Sequence, residues 1–311
     1  MDSVVPSLSK TIGQNEAVSV LTTAVDAYFY ERSKRGDKVA FPHTLITGAG
    51  GLGKSFLADL IGRECCTTVH HELAQNVRTP EHVRASLMML DAGSVLYYDE
   101  IHELPPTCAV TLYSALQDGE LHLGKHHVLK LPPFCLVGAT THEFLLAPSC
   151  RQRFRLLLRL QFYSDDEMAR ILRQRATILG WHVEDEAINS IASRSRGIPR
   201  LGVRWLEAAK RTASANYTDE IKAEHVEQTF AQMNVDSLGF DAIEQRYLQL
   251  LREGQGPVRL NVLATHLGLP RQSIEMFEAD FIRLGLITKS DKGRVLTAKG
   301  VEHLASSVHV S

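Results

Sequence analysis

Eight residues near the start of the chain carry the strongest chemical signal. Gly48-Ala49-Gly50-Gly51-Leu52-Gly53-Lys54-Ser55 fits the pattern GxxxxGK[ST]. Its glycines let backbone N–H groups turn toward one point, and the start of the following helix adds partial positive charge there. Such a turn cradles phosphate. Lys54 is expected to reach the β- and γ-phosphates of ATP, and Ser55 to hold Mg²⁺ through its hydroxyl. The bland alternative is a tight strand-to-helix turn with a solvated lysine. The second half of the chemistry is Val95-Leu96-Tyr97-Tyr98-Asp99-Glu100, an apolar strand tipped by two acids. Asp99 is expected to bind the metal, and Glu100 to polarise the attacking water as general base.

His102 and Glu103 extend this acidic run. The spacing is not HExxH, and no distant Cys or His pair completes a zinc site. His102 reads instead as a partner that positions the acids.

These residues need a scaffold that brings them together. Thr44-Leu45-Ile46-Thr47 is a short apolar strand running into the glycine loop, and a helix follows with Phe56, Leu57, Leu60 and Ile61 expected to point inward. Residues 14–35 read as a helix, and Thr79-Pro80 opens another as N-cap and first-turn proline. Phe134–Gly138 is a further buried strand. Strands alternating with helices indicate an α/β domain with a parallel sheet over residues 1–162. Ser164-Asp165-Asp166-Glu167 then forms a capping box, and residues 163–235 read as a small all-helical domain. Residues 236–311 read as three helices followed by two short strands around Ser290-Asp291-Lys292-Gly293, which is a winged helix.

The bulk numbers agree with a multidomain globular chain. It has 311 residues, 44% of them hydrophobic and 23% charged. The net charge of −2 gives no overall basic signal, so any nucleic-acid contact rests on local patches. The five cysteines form no CxxC pair, which fits a reducing cytoplasm. The first residues do not resemble a signal peptide, and no stretch reaches the ~18 apolar residues of a membrane span.

With these motifs in order, the sequence resembles the RuvB family of AAA+ motors, which drive branch migration of Holliday junctions. The likeness runs from Ile12-Gly13-Gln14 to the end of the winged helix. Gly50–Ser55 resembles the family's phosphate loop, and Asp99-Glu100-Ile101-His102 its metal strand. Val137-Gly138-Ala139-Thr140-Thr141 resembles the sensor 1 strand. Arg151-Gln152-Arg153-Phe154 is similar to the arginine-finger segment, and Arg196-Gly197-Ile198-Pro199-Arg200 to the sensor 2 turn. The resemblance implies that Thr140 reports on the γ-phosphate, with Thr141 of equal standing. It implies that Arg153 reaches into a neighbouring subunit's site, and that Arg200 contacts the same subunit's nucleotide. Ile12 and Gly13 would lie near the adenine ring. A finger supplied in trans requires a ring, and the family forms hexamers.

Three departures stand out. The region between Asp118 and Pro132 reads as a hairpin around Gly124-Lys125, shorter than the family's protruding hairpin that docks the junction-binding partner RuvA. The loop has Ala49-Gly50 where the family usually shows two prolines, and the N-terminal arm is short. A RuvA-like partner therefore stays open at this point. In the winged helix, Arg271 on the third helix and Lys289, Lys292 and Arg294 on the wing are the expected DNA contacts, suited to phosphate rather than base reading. A winged helix can also dock proteins. The leading expectation is an ATP-driven motor on branched DNA. Its rivals are an ATPase that remodels or loads proteins, and a nucleotide-sensing regulator without useful hydrolysis.

Overall fold

The computed structural model describes residues 7–123, 127–254 and 256–307. The chain forms two compact units. One runs to Ile178 and takes in Gly197–Leu201; the other holds Leu179–Arg196 and the chain from Gly202 onward.

In the first unit α1 (Asn15–Arg35) leads to β1 (Thr44–Thr47), the glycine loop and α2 (Lys54–Glu64). Next come β2 (Val69–Leu73), α3 (Pro80–Met88), β3 (Val95–Asp99) and α4 (Pro106–Asp118). A hairpin of β4 (Glu120–His122) and β5 (Val128–Lys130) follows, then β6 (Cys135–Thr140), the short α5 (Pro148–Arg151), β7 (Leu156–Arg159) and α6 (Asp165–Leu179). The hairpin is antiparallel as expected, with Leu121 opposite Leu129. Its expected turn at Gly124-Lys125 lies outside the described residues.

The main sheet is parallel, in the order β2-β3-β6-β1-β7. Parallel neighbours need crossovers, and helices supply most of them. Period-2 alternation then sorts the strand residues between two cores. Ile46, Val95, Tyr97 and Val137 pack with α1 and α2, while Leu45, Leu96, Tyr98 and Leu136 pack with α3 and α4. Strands covered on both faces read as unbroken apolar runs, which is why β1, β3 and β6 are legible in the sequence. Each such leucine or isoleucine contributes roughly 1.5–3 kcal/mol by burial.

The edge strands β2 and β7 lie outside the sequence expectation. β2 carries His70, His71 and Glu72, and neither strand is buried throughout. One correction concerns α2. Phe56, expected to point inward, is 40% exposed, whereas Leu57, Leu60 and Ile61 are buried. The inward stripe follows the i, i+3, i+4 spacing from Leu57, which leaves Phe56 off it. The capping box at the start of α6 forms as expected. Glu167 Oε2 accepts from the Ser164 amide at 2.8 Å, and the Glu167 amide donates to Ser164 Oγ at 3.2 Å.

The second unit contains β8 (His182–Val183), α7 (Asp185–Arg194), most of α8 (Pro199–Ala215), β9 (Glu220–Ile221) and α9 (Ala223–Gln232). There follow α10 (Ala242–Glu253), α11 (Leu260–Leu267), α12 (Arg271–Arg283), the antiparallel β10 (Ile287–Ser290) and β11 (Gly293–Leu296), and α13 (Ala298–Ser307). Three helices and a hairpin make the expected winged helix. α13 is an addition to it, and the short parallel β8–β9 pair departs from the all-helical expectation for residues 163–235. Phe240, Tyr247, Ile274, Phe281 and Leu286 form its core. Asp241 caps α10 through the amides of Ile243 and Glu244, each at 2.9 Å. Among the described residues no helix is long and apolar enough to cross a membrane.

Candidate nucleotide site

Parallel register brings the two chemical runs to one place. β6 lies between β1 and β3, with Thr47 beside Thr140 and Tyr98 beside Gly138. The glycine loop leaves β1, and Asp99-Glu100 end β3, at the same carboxyl edge. Open α/β sheets bind ligands at that edge.

The loop is glycine-rich for a steric reason at Gly51. Its φ is +82°, and an added Cβ would fall 2.9 Å from both Ile198 Cγ2 and Arg200 Cβ. Lys54 opens α2 with only 7% of its side chain exposed. Its ammonium donates to Gly48 O at 2.9 Å and Ala49 O at 3.2 Å, and stands 3.9 Å from Glu100 Oε1. Burial pushes the Lys54 pKa down, against the pull of Glu100 and Asp99. A buried ammonium held by two neutral carbonyls and one distant carboxylate fits an anionic ligand at the loop.

The expected metal ligands are joined by a residue the sequence reading passed over. Ser55 Oγ shares a hydrogen bond of 3.0 Å with the Tyr97 hydroxyl, which donates to Asp99 Oδ1 at 3.1 Å. Tyr97 reads as an apolar strand residue, and its ring does lie in the core; only its oxygen belongs to the site. Burial raises its phenol pKa well above the ordinary value, so it stays a donor. Ser and Asp oxygens on one side of a phosphate loop are a hard donor set that suits Mg²⁺.

Glu100 sits at φ +48° and turns its carboxylate toward the end of β6. Oε2 accepts from the Thr141 amide at 2.8 Å and the Thr141 hydroxyl at 2.9 Å, and lies 3.3 Å from His102 Nδ1. His102 thus stands beside the acid. Thr140, which the resemblance implies reports on the γ-phosphate, faces His102 in this structure. It is fully buried, and its Oγ1 lies 2.9 Å from His102 Nδ1 while accepting from the His142 amide at 3.0 Å. The hydroxyl that reaches the carboxylate belongs to Thr141. Thr140 is the last residue of β6 and stays in the sheet, while Thr141 opens the bend beyond it and turns to Glu100.

Gly13 packs against Tyr163, which links it to the loop. Its φ is +66°, and an added Cβ would lie 2.8 Å from Tyr163 Cε1. The Tyr163 hydroxyl in turn donates to Leu52 O at 3.2 Å. Ile12 is half-buried next to it. Gln14 fixes this segment through Gln161, donating to its carbonyl at 2.7 Å and accepting from its amide at 2.9 Å. The Arg200 amide donates to Gly51 O at 3.3 Å, and the Arg200 charge is among those lowering the Lys54 pKa. Gly50, Gly53 and Phe56 complete the loop and first turn.

Comparison with known proteins gives this arrangement a family. The model of the Holliday junction DNA helicase RuvB P-loop domain matches residues 5–160. Those of the RuvB AAA lid domain and RuvB C-terminal winged helix domain match 163–236 and 237–305. The Holliday junction branch migration complex subunit RuvB of Thermotoga petrophila is 33% identical, over 97% of this chain and 92% of the relative. The chain belongs to the RuvB family. The RuvB subunit of Kosmotoga olearia is also 33% identical, over 96% of this chain and 88% of that one. The solved Thermotoga maritima RuvB Holliday junction branch migration motor superposes with a TM-score of 0.83 at 32% identity, covering 96% of this chain and 97% of that chain. As a RuvB-family P-loop protein, the chain binds nucleotide.

Two further groups of RuvB-like residues lie away from the loop. Arg153 is held within its own chain: it donates to Gln117 Oε1 at 2.8 Å, to Tyr113 O at 3.3 Å and to Ser149 O, with its guanidinium 5.6 Å from the Tyr113 ring centre. Arg151 pairs with Glu143 at 4.0 Å. On the wing, the expectation for Arg294 is overturned. It is 7% exposed, and its guanidinium grips both carboxylate oxygens of Glu278 at 2.7 and 3.1 Å, with the Tyr247 hydroxyl on Glu278 at 2.8 Å. A charge neutralised inside the core does not meet phosphate. Lys289 is 48% exposed and 3.9 Å from Glu278, while Arg271 and Lys292 are exposed.

Proposed function

We propose that this chain hydrolyses ATP to drive branch migration of four-way DNA junctions. The observation that carries the reading is the meeting of Lys54, Ser55, Asp99 and Glu100 at one sheet edge, in a chain related to RuvB along almost its whole length. Lys54 and the loop amides bind the triphosphate, and Gly13, Ile12 and Arg200 flank it. Ser55 and Asp99 would hold Mg²⁺. When bound, the cation would supply positive charge that offsets the charge of the triphosphate. Glu100 takes the proton of the attacking water, and Thr141 orients Glu100 through two hydrogen bonds.

Arg153 completes the site of a neighbouring copy, so the active form is a ring, with six copies as in the family. A cation placed on the transferring group is worth about 10³–10⁵ in rate. The functional divisions are residues 1–162, 163–235 and 236–311. Arg271, Lys289 and Lys292 contact DNA phosphates. Leu123, Val128 and Leu129, all exposed on the β4–β5 hairpin, offer the apolar surface that a junction-binding partner would cover.

The test is ATP turnover with a synthetic four-way junction, with linear duplex and with no DNA. Stimulation by the junction, together with strand exchange in a branch-migration assay, supports the reading. Turnover indifferent to any DNA would point to a protein substrate instead.

A further inference from the structure

Tyr97 is a core tyrosine whose hydroxyl meets both expected metal ligands, Ser55 and Asp99. Its ring is 2% exposed and stacks edge-on against His71, with ring centres 5.2 Å apart. His71 is itself tied to Asp59 at 2.9 Å. Strand pairing on both sides fixes the backbone, with His71 opposite on β2 and Val137 opposite on β6. The hydroxyl therefore has little freedom, and it lies between Ser55 Oγ and Asp99 Oδ1.

The direction of each hydrogen bond follows from donor count. An ionised carboxylate only accepts, so the Tyr97 O–H donates to Asp99. A phenol has a single proton. The Ser55 hydroxyl must then donate to the Tyr97 oxygen. That leaves the lone pairs of Ser55 Oγ as its remaining valence, which is what a cation ligand requires. It also pins one oxygen of Asp99 and leaves the other for the metal or its waters.

We propose that Tyr97 is a positioning residue for the divalent cation, turning the Ser55 hydroxyl into a fixed acceptor and anchoring Asp99 beside it. The proposal rests on the reading of the site as a nucleotide–Mg²⁺ centre. A phenylalanine here would fill the same core volume, so the oxygen alone is at issue. The contribution of one such hydrogen bond to a charged partner corresponds to about a tenfold change in binding.

The experiment compares the wild-type chain with Tyr97→Phe by binding of a fluorescent ADP analogue, first in EDTA and then across a Mg²⁺ titration. The expected result is unchanged affinity without metal, and a Mg²⁺ midpoint raised about five- to tenfold. Saturating Mg²⁺ should restore most of the ATP turnover, and the melting temperature should stay close to wild type. A wild-type titration that shifts on Mg²⁺ and an identical Tyr97→Phe titration would overturn the proposal alone. Equal weakening with and without metal would also overturn it, since that marks a general packing defect. A wild-type chain indifferent to Mg²⁺ would overturn the metal reading itself, and this proposal with it.

Discussion

Glu100 Oε2 accepts both the amide and the hydroxyl of Thr141, at 2.8 and 2.9 Å. The neighbouring Thr140 turns its hydroxyl to His102 instead. The two threonines therefore have separable effects. Thr141→Val should lower ATP turnover about tenfold or more by freeing the general base, with nucleotide affinity little changed. Thr140→Val should act on stability, costing about 1–3 kcal/mol because the His142 amide loses its buried acceptor. Steady-state ATPase rates and melting curves for the two variants distinguish these outcomes. A Thr141→Val chain with full turnover would refute the assignment.

Arg153 makes its hydrogen bonds to Gln117, Tyr113 and Ser149. Arg153→Ala should spare ATP binding and reduce turnover by about 10³-fold or more. Mixing Arg153→Ala chains with Glu100→Gln chains should recover part of the activity, because one variant supplies the finger and the other an intact site. No recovery in mixed rings would argue for action within the same subunit.

Lys54 should give nucleotide binding an alkaline limit. Only the protonated amine attracts phosphate, and burial lowers its pKa from the ordinary 10.5. As pH rises through that lowered value the free site loses its charge, so affinity should begin to fall below pH 10.5. Lys54→Ala should abolish binding at every pH. Titration of nucleotide affinity from neutral to alkaline pH checks both statements; a flat wild-type profile would contradict them.

His43 provides a pH-dependent stability term at the other end of the sheet. Its Nδ1 accepts the Leu136 amide at 2.9 Å, and burial, with repulsion from Arg155, lowers its pKa from 6.5 to about 4. The folded chain thus refuses a proton that the unfolded chain accepts. Stability should be full above pH 6.5 and fall as pH drops toward 4. The loss should be on the order of 2–3 kcal/mol. His43→Phe should flatten this limb while lowering the neutral-pH baseline by about 1–3 kcal/mol, since the Leu136 amide loses its acceptor. Denaturant unfolding at a series of pH values measures it.

Arg294 and Lys292 stand close in sequence and should behave in opposite ways. Arg294→Ala strands Glu278 in the winged-helix core and should cost about 3–5 kcal/mol of stability. Lys292→Ala should leave stability within about 0.5 kcal/mol of wild type. It should weaken DNA binding and reduce the slope of log affinity against log salt by about one. Equal effects of the two on the salt slope would return Arg294 to the DNA surface.

The chemical centre was legible because its parts are local. The residues Gly48 to Ser55 form one turn, whose purpose is visible from spacing alone. The acids at Asp99-Glu100 sit on a strand whose burial on both faces leaves an unbroken apolar run. The capping box at Ser164 and the helix–helix–helix–hairpin order of the last region are likewise short-range patterns. Edge strands were not legible: β2 carries His70, His71 and Glu72, which a half-exposed strand tolerates, and β7 is a run of three leucines too short to signal a strand by itself.

What spacing could not decide was which distant side chains meet. Tyr97 reads as core, and its oxygen becomes part of the site only because β3 lies where its face meets the start of α2. Thr140 and Thr141 are equivalent until the end of β6 assigns each a side. Arg294 looks like a wing cation until α12 sets Glu278 beneath it. Backbone turns and strand burial are determined by neighbours along the chain. A hydrogen bond across 42 residues, such as Ser55 to Tyr97, depends on sheet order and register, which only the folded core establishes.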